Sequence, residues 1–493
     1  MDRERALQGL KRERLDLLVI GGGITGCGIA LDAASRGLRV GLLERGDFAS
    51  GTSSKSSKLI HGGLRYLRQL QFKVTLEASR EKAHLKTMAP HLVEDLPFLL
   101  PTWTRAARPM IASGLWIYDA AAGFPPGLIH RHLDRNETLA TLPGLQSEGL
   151  RGGFLYYDAR ADDCRLVLHV ARKAAELGAH LVNRLPATGF LKQNGRIRGV
   201  RTPLFDIAAE RVVNATGVWC DEVRSVDDSA AARSVRPSKG VHLIVPVRRL
   251  GIRTAVMLPS ADGRIVFLIP EGDHALVGTT DTDYEGSLES PRAEDQDIDY
   301  LLRVVNASLP EVRLARSDVT STYAGLRPLL LDGANIPSKA SREHHLFESP
   351  SGLITLTGGK LTTWRLMAKQ VVDRLTRIRC RTQALELYAT EARDPLSRLY
   401  GSAASEIVDR KPLLDGLPYV WGEVDHAVRT EMAGSLSDVL SRRMRVALYA
   451  QDRGAAVAPA VAARVASLLG WDAAETRRQV EGYLAELEAN YRR

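Results

Sequence analysis

Three glycines, Gly21, Gly23 and Gly26, are spaced as G-x-G-x-x-G directly after the apolar run Asp16-Leu17-Leu18-Val19-Ile20. Residues at helical spacing follow them at once: Ile24, Cys27, Ala30, Leu31 and Ala34. A strand, a glycine turn and a helix start in this order make a pyrophosphate site. The glycines permit a tight turn, a close approach of backbone to ligand and close packing of helix on strand, while the free N–H groups of the first helical turn face the anion. A second apolar run over residues 38–43 ends at Glu44, 18 residues past Gly26, where a carboxylate can accept from adenosine ribose hydroxyls and would repel a 2′-phosphate. Residues 15–44 are therefore read as a dinucleotide-binding unit, open to either FAD or NAD.

Other stretches could meet the same ligand. Residues 49–66 hold many hydroxyls and backbone donors and no acids, with Thr52, Ser53, Ser57, Lys58, Leu59 and His61 leading into Gly62-Gly63-Leu64-Arg65-Tyr66. This reads as a loop laid along the cofactor. A buried strand at Arg211-Val212-Val213-Asn214 runs into Ala215-Thr216-Gly217, small residues that let the backbone return to the ligand. Gly358-Gly359-Lys360-Leu361-Thr362 repeats the strand, glycine turn and helix theme and points a second helix start at something anionic.

The elements that must position these residues follow from periodicity. Helical spacing is expected over residues 72–88, 111–118, 166–177 and 363–377, with Pro90, Pro97, Pro101 and Pro109 breaking the chain between the first two. Asn194-Gly195 predicts a hairpin between strands at 188–192 and 196–201. From about 234 to 327 the pattern becomes alternating strands with one helix at 294–307, an antiparallel substrate domain inserted into the nucleotide-binding domain. Beyond residue 383 four helical stretches, 424–432, 436–448, 456–469 and 473–489, form a separate domain. The expected class is α/β: a Rossmann-like dinucleotide domain with an inserted antiparallel-sheet substrate domain and a C-terminal helical domain. The nucleotide-binding segments are about 1–75, 155–225 and 340–384, the substrate segments about 76–154 and 226–339, and the helical domain 385–493.

With 493 residues, two or three domains are expected, and 44% hydrophobic with 25% charged residues is the composition of a folded globular chain. No stretch has about 18 uninterrupted apolar residues, and the charged residues 1–14 lack a signal-peptide core, so a cytosolic protein, or one on the cytosolic face of a membrane, is expected. The cysteines Cys27, Cys164, Cys220 and Cys380 are scattered without a C-x-x-C pair, and His344 and His345 are adjacent and diverge, so neither a disulfide framework nor a metal site is expected. A net charge of +9 fits an anionic membrane or an anionic substrate; no nucleic-acid motif is found, so no nucleic-acid partner is expected. Trp103, Trp116 and Tyr118 with Arg105, Arg108 and Arg131 have the mix of an interfacial surface, or of a core helix with a basic rim.

The stretches 20–37, Ser56 to Leu67, Gly278-Thr279-Thr280-Asp281, Gly325-Leu326-Arg327-Pro328-Leu329, Gly358-Gly359-Lys360 and Asp438-Val439-Leu440-Ser441-Arg442-Arg443 resemble the FAD-dependent glycerol-3-phosphate dehydrogenases over nearly the whole chain. The loop is the most specific of these. The resemblance implies FAD and oxidation of sn-glycerol 3-phosphate to dihydroxyacetone phosphate, with electrons passed to a membrane quinone; the fingerprint, Glu44 and the second Gly-Gly turn, with no cysteine as an obvious attachment point, predict one tightly bound, non-covalent FAD per chain. The resemblance also implies a peripheral protein on the cytoplasmic face of the membrane, with a homodimer left open. For the phosphate dianion it suggests Arg65, Arg327, Arg342 and Lys360, with Tyr66 beside them, arginine being suited to bidentate contacts. For the hydroxyl proton it suggests His242, in Lys239-Gly240-Val241-His242. The family has Tyr where this chain has Trp364, which questions any role for that hydroxyl. The alternatives are a glycerophosphate oxidase using O₂, an amine or amino-acid oxidase, and a flavin- or RNA-binding module without dehydrogenase activity.

Overall fold

The structure, a computed structural model, describes residues 1–63, 72–104, 107–331 and 344–491. Its first layer is a sheet in the order His344–Glu348, Leu353–Gly358, Ile207–Asn214, Leu15–Ile20, Val40–Leu43 and His180–Val182. In this order all neighbours from Leu353–Gly358 onward run parallel, while His344–Glu348 joins antiparallel at the end and Arg196–Arg201 pairs antiparallel with the start of Ile207–Asn214. Parallel strands are covered on both faces, which is why Leu17, Leu18, Val19 and Ile20 are buried without alternation. Helices Ile24–Ser35, Asp163–Glu176 and Trp364–Val372 share one apolar core with the sheet. On the other face lie helix Arg3–Arg12, through Ala6 and Leu10, and the hairpin of Gly189–Gln193 and Arg196–Arg201. The strands Leu15–Ile20, Val40–Leu43, Ile207–Asn214 and Leu353–Gly358 all end at one edge, so Gly21, Glu44, Ala215 and Gly359 gather there, where such sheets hold ligands.

The second sheet is mainly antiparallel. Val235–Pro246 pairs with Ser321–Leu330 from Val235↔Leu330 to Ile244↔Ser321, and His274–Gly278, Ile265–Glu271 and Ala255–Pro259 follow in order. Glu94–Thr102, Gly152–Arg160 and the short Leu59–Ile60 continue it, tying the end of the serine-rich loop to the substrate domain, and the short Thr282–Asp283 and Arg131–Leu133 pair with Val235–Pro246 and Gly152–Arg160. Its side chains alternate cleanly between two cores. Val241, Leu243 and Val277 pack with Ile298, Leu301 and Val305 of helix Asp295–Ser308, while Ile244, Leu276 and Tyr323 face Leu436, Val439 and Val446 of the C-terminal helices.

Three local expectations differ. Residues 94–102 form a strand despite Pro97 and Pro101: both prolines stand in the ladder with Gly152–Arg160, opposite Tyr157 and Gly153, and outside the short ladder with Ala255–Pro259, which joins only Phe98 and Leu99. The helix expected to 377 is Trp364–Val372 and stops at Asp373. The single helix expected over 436–448 is broken into π-helical Asp438–Arg443 and Val446–Tyr449, with Arg445 between them in the left-handed region at φ 53°.

Candidate active site

At the edge of the parallel sheet the glycine turn is tight. A Cβ at Gly26 would stand 1.9 Å from the Gly21 carbonyl oxygen, so only glycine lets the helix close on this turn. Gly23 occupies the N-cap of Ile24–Ser35 without a side-chain cap, and Ser53 reaches across to accept from Ile24 N–H at 3.0 Å. Glu44 accepts from Gly22 N–H and Gly46 N–H, each at 2.7 Å; burial pushes its carboxyl up, and these two amides oppose the shift. An uncapped helix start, a hydroxyl at its first turn and a carboxylate at the end of the second strand form a donor and acceptor set that fits a dinucleotide.

The serine-rich loop runs over the strand Ser321–Leu330. Thr52 Oγ1 donates to the Leu326 carbonyl at 2.5 Å, the Tyr323 hydroxyl donates to the Ser56 carbonyl at 2.8 Å, and Ser57 Oγ lies 2.8 Å from His242 Nε2. His61 meets the second glycine turn, its carbonyl accepting from Thr362 Oγ1 at 3.3 Å. Thr357 Oγ1 donates to the Gly217 carbonyl at 3.4 Å, bringing the 215–217 turn to the same edge. Lys360 precedes the short helix Leu361–Thr363 in extended backbone. The glycine turn at 21–26, the Glu44 carboxylate, the serine-rich loop, the 215–217 turn and the second glycine turn at 359–362 are thus brought to one edge of the parallel sheet.

Beside it stand His242 and Arg327. Ser238, Gly240 and His242 lie opposite Arg327, Gly325 and Tyr323, and alternation puts all six on one face of the sheet. The His242 imidazole stacks on the Tyr323 ring with centroids 4.6 Å apart and planes 8° apart. On its other side is Gly278, where a Cβ would stand 2.4 Å from the ring. Burial, helped by the cations Arg327 and Lys58, pushes its pKa down to about 3, so the ring is neutral, and its Nδ1 is buried with no partner among the described residues. Arg327 is clamped: Nη1 donates to Asp281 at 3.2 Å, and Nη2 to Thr279 Oγ1 at 3.0 Å and to the Thr280 carbonyl at 3.2 Å. Ser238 Oγ donates to the same Asp281 oxygen at 2.5 Å. A clamped guanidinium beside a neutral imidazole can hold an oxyanion and take a proton from a neighbouring hydroxyl.

The model for FAD-dependent oxidoreductases matches residues 16–374, and that for the C-terminal domain of alpha-glycerophosphate oxidase matches 352–476. Glycerol-3-phosphate dehydrogenase 2 of Mycobacterium tuberculosis is 39% identical over 98% of this chain and 90% of its own. The crystal structure of glycerol-3-phosphate dehydrogenase from Bacillus halodurans, complexed with FAD, is 32% identical and superposes with a TM-score of 0.82, covering 99% of this chain and 97% of that one. The chain belongs to the FAD-dependent glycerol-3-phosphate dehydrogenases. The L-alpha-glycerophosphate oxidase of Mycoplasma pneumoniae, 18% identical over 75% of this chain and 97% of that one with a TM-score of 0.61, shares the fold.

Within this dehydrogenase several sequence expectations take a different place. The Lys58 ammonium is buried and paired with Asp163 at 2.7 Å, and the Leu59 side chain is in the apolar core. Trp364 is fully buried against Gly28 of the helix Ile24–Ser35, its indole N–H without a partner among the described residues, as a packing residue is. Tyr118 is also buried, donating to Asp158 at 2.5 Å and accepting from Gly62 N–H at 2.9 Å, so it supports the loop rather than a surface. Arg65, Tyr66, Arg342 and Arg105 lie outside the described residues. Sequence reasoning missed Tyr323, Asp281 and Thr279; Gly278-Thr279-Thr280-Asp281 stood out as a stretch, but nothing in it signalled an arginine clamp.

Proposed function

We propose that this dehydrogenase oxidises sn-glycerol 3-phosphate to dihydroxyacetone phosphate and delivers the electrons to a quinone dissolved in the membrane, working as a peripheral protein on the cytoplasmic face. The observation that carries the chemistry is the placement of clamped Arg327 and neutral His242 on one sheet face, under the serine-rich loop. Bound FAD supplies the hydride acceptor. Arg327 acts on the phosphate or on charge developing at the reacting oxygen, being a permanent cation that its clamp holds in place. Lys360, with Arg65, Tyr66 and Arg342, completes the anion site in this reading. His242 takes the hydroxyl proton; a dianion held beside it offsets the cations that help to keep its pKa low.

The membrane reading rests on exposed apolar side chains: Met110, Trp116 and Ile117 on helix Ala107–Ala121, and Phe124 and Ile129 just beyond it, with Arg108 and Arg131 also exposed. Among the described residues no helix is long and apolar enough to cross a bilayer. Sedimentation with anionic vesicles is expected to weaken with salt and with Trp116→Glu. Binding that is equal on neutral vesicles, or unaffected by Trp116→Glu, would overturn it. The acceptor is tested by stopped-flow reoxidation of the reduced enzyme: a quinone analogue is expected to outpace O₂, and the reverse would make it an oxidase.

A further inference from the structure

The serine-rich loop is held from outside the FAD domain by one arginine of the C-terminal domain. Arg445 Nη1 donates to the Ser54 carbonyl at 3.1 Å, Nε and Nη2 donate to Asp162 at 3.0 and 3.1 Å, and Nη2 also donates to Asp163. Asp163 in turn accepts from Ser56 N–H at 3.0 Å, from Ser56 Oγ at 2.8 Å and from Lys58 at 2.7 Å. Lys58, Asp163 and Arg445 are almost fully buried, and with Asp162 the set contains two cations and two anions, so removing one member leaves a buried charge uncompensated. The next residue, Ser57, touches His242, and the Ser56 carbonyl is fixed by the Tyr323 hydroxyl. The Ser56-Ser57 pair is therefore fastened on one side to Asp163, which Arg445 holds, and on the other to the His242–Tyr323 stack.

We infer that Arg445 is a positioning residue of the active site, acting through Asp163 and Ser56 to set Ser57 against His242 and the loop against the cofactor. The C-terminal domain then contributes to catalysis without touching substrate. Its helical break fits this role: Arg445 takes left-handed backbone between Asp438–Arg443 and Val446–Tyr449, which lets the side chain reach the loop instead of continuing a helix. The inference builds on the reading of His242 as proton acceptor, and its test separates the two.

The test uses the full-length, FAD-loaded enzyme with Arg445→Lys, Ser56→Ala and the double variant, and with Arg464→Lys, an exposed arginine of the same domain paired with Asp425, as control. Four quantities are read: the absorption spectrum of bound flavin, the FAD dissociation constant of the apoprotein, the anaerobic bleaching rate at saturating glycerol 3-phosphate, and the steady-state KM. Arg445→Lys keeps the charge and loses the fork. It is expected to shift the flavin spectrum, weaken FAD and slow bleaching about tenfold, the scale of a lost charge-assisted hydrogen bond, with KM nearly unchanged. Ser56→Ala changes the same quantities in the same direction, and the double variant is no worse than Arg445→Lys alone because both cut one chain of contacts. Arg464→Lys behaves as the parent. A parent spectrum and rate in Arg445→Lys holoenzyme, or multiplicative effects in the double variant, would overturn the inference. If Arg445→Lys does not fold, a parent rate in Ser56→Ala overturns it alone. Slow bleaching in these variants together with a parent rate in His242→Ala upholds the loop's role and refutes only the base assignment.

Discussion

The guanidinium of Arg327 lies across the α-carbon of Gly240 on the neighbouring strand, where a Cβ would stand 2.4 Å from Nη2. Both terminal guanidinium nitrogens are already engaged by Thr279, Thr280 and Asp281, so the group has nowhere to move without breaking its clamp. Gly240→Ala is expected to raise KM for glycerol 3-phosphate about tenfold, and Arg327→Ala by about tenfold to a hundredfold, with a further loss in kcat if the cation also steadies the reacting oxygen. Steady-state kinetics on folded, FAD-loaded variants check this. An unchanged KM in Gly240→Ala would mean that the arginine does not act from this position.

His242 separates binding from chemistry. His242→Ala is expected to slow anaerobic flavin bleaching by about a hundredfold or more while leaving the Kd of a substrate analogue, read by flavin perturbation, within a few fold of the parent. If bleaching proceeds at the parent rate, the proton goes elsewhere, and His61 or Lys360 is next in line.

The parallel sheet, the glycine turn and the loop were legible because each rests on local signals: an apolar run, a fingerprint at fixed spacing, and turn residues. In the antiparallel sheet, alternation made the strands around 241–245, 265–269 and 275–279 legible, but not Ala255–Pro259, Ser321–Leu330 or Gly152–Arg160. The clamp on Arg327 and the stack on His242 were not, because they arise from the pairing of Val235–Pro246 with Ser321–Leu330 and His274–Gly278, a register no single stretch encodes. The strand at 94–102 was hidden by its two prolines, whose tolerance depends on which neighbour pairs where. Lys58 shows the same limit. A lysine in a cofactor loop reads as a ligand, and only the fold brings Asp163 to it.

Trp364 is a packing residue with no polar partner among the described residues, so Trp364→Tyr is expected to leave kcat and KM within about twofold. It should lower stability by about 1–3 kcal/mol, since it removes buried volume and introduces a hydroxyl into an apolar core. Thermal melting with parallel kinetics tests this. A kinetic loss without a melting shift would place the residue at the cleft.

The flavin should be held without a covalent bond. Cys27, the cysteine of the glycine-turn helix, is fully buried, with its Sγ turned to the Gly22 carbonyl at 3.5 Å and its thiol pushed up by burial, so it is a poor nucleophile. Acid precipitation should leave the yellow colour in the supernatant; colour in the pellet would contradict this.

His91 and His169 face each other with Nε2 atoms 3.2 Å apart, both buried and both without a partner at Nδ1 among the described residues. Burial pushes His91 down to about 4 and His169 well below its ordinary value of 6.5, while both regain that value on unfolding. Between those limits the unfolded chain binds more protons than the native one, so the contribution of each ring is complete above about pH 6.5 and is lost as pH falls. Carboxylates held down by arginines, such as Glu431 and Asp162, act the same way, but only below their ordinary values of 4.5 and 3.8. Glu423, raised to about 7 by burial, acts in the opposite sense between pH 4.5 and 7 and partly masks the histidines in the parent. A comparison with His91→Gln cancels that term. Across pH 4.5–6 its unfolding free energy should fall less steeply than the parent's, by about one proton or 1.4 kcal/mol per pH unit. Urea unfolding at several pH values measures both slopes, and equal slopes would show that His91 is not held neutral in the native enzyme.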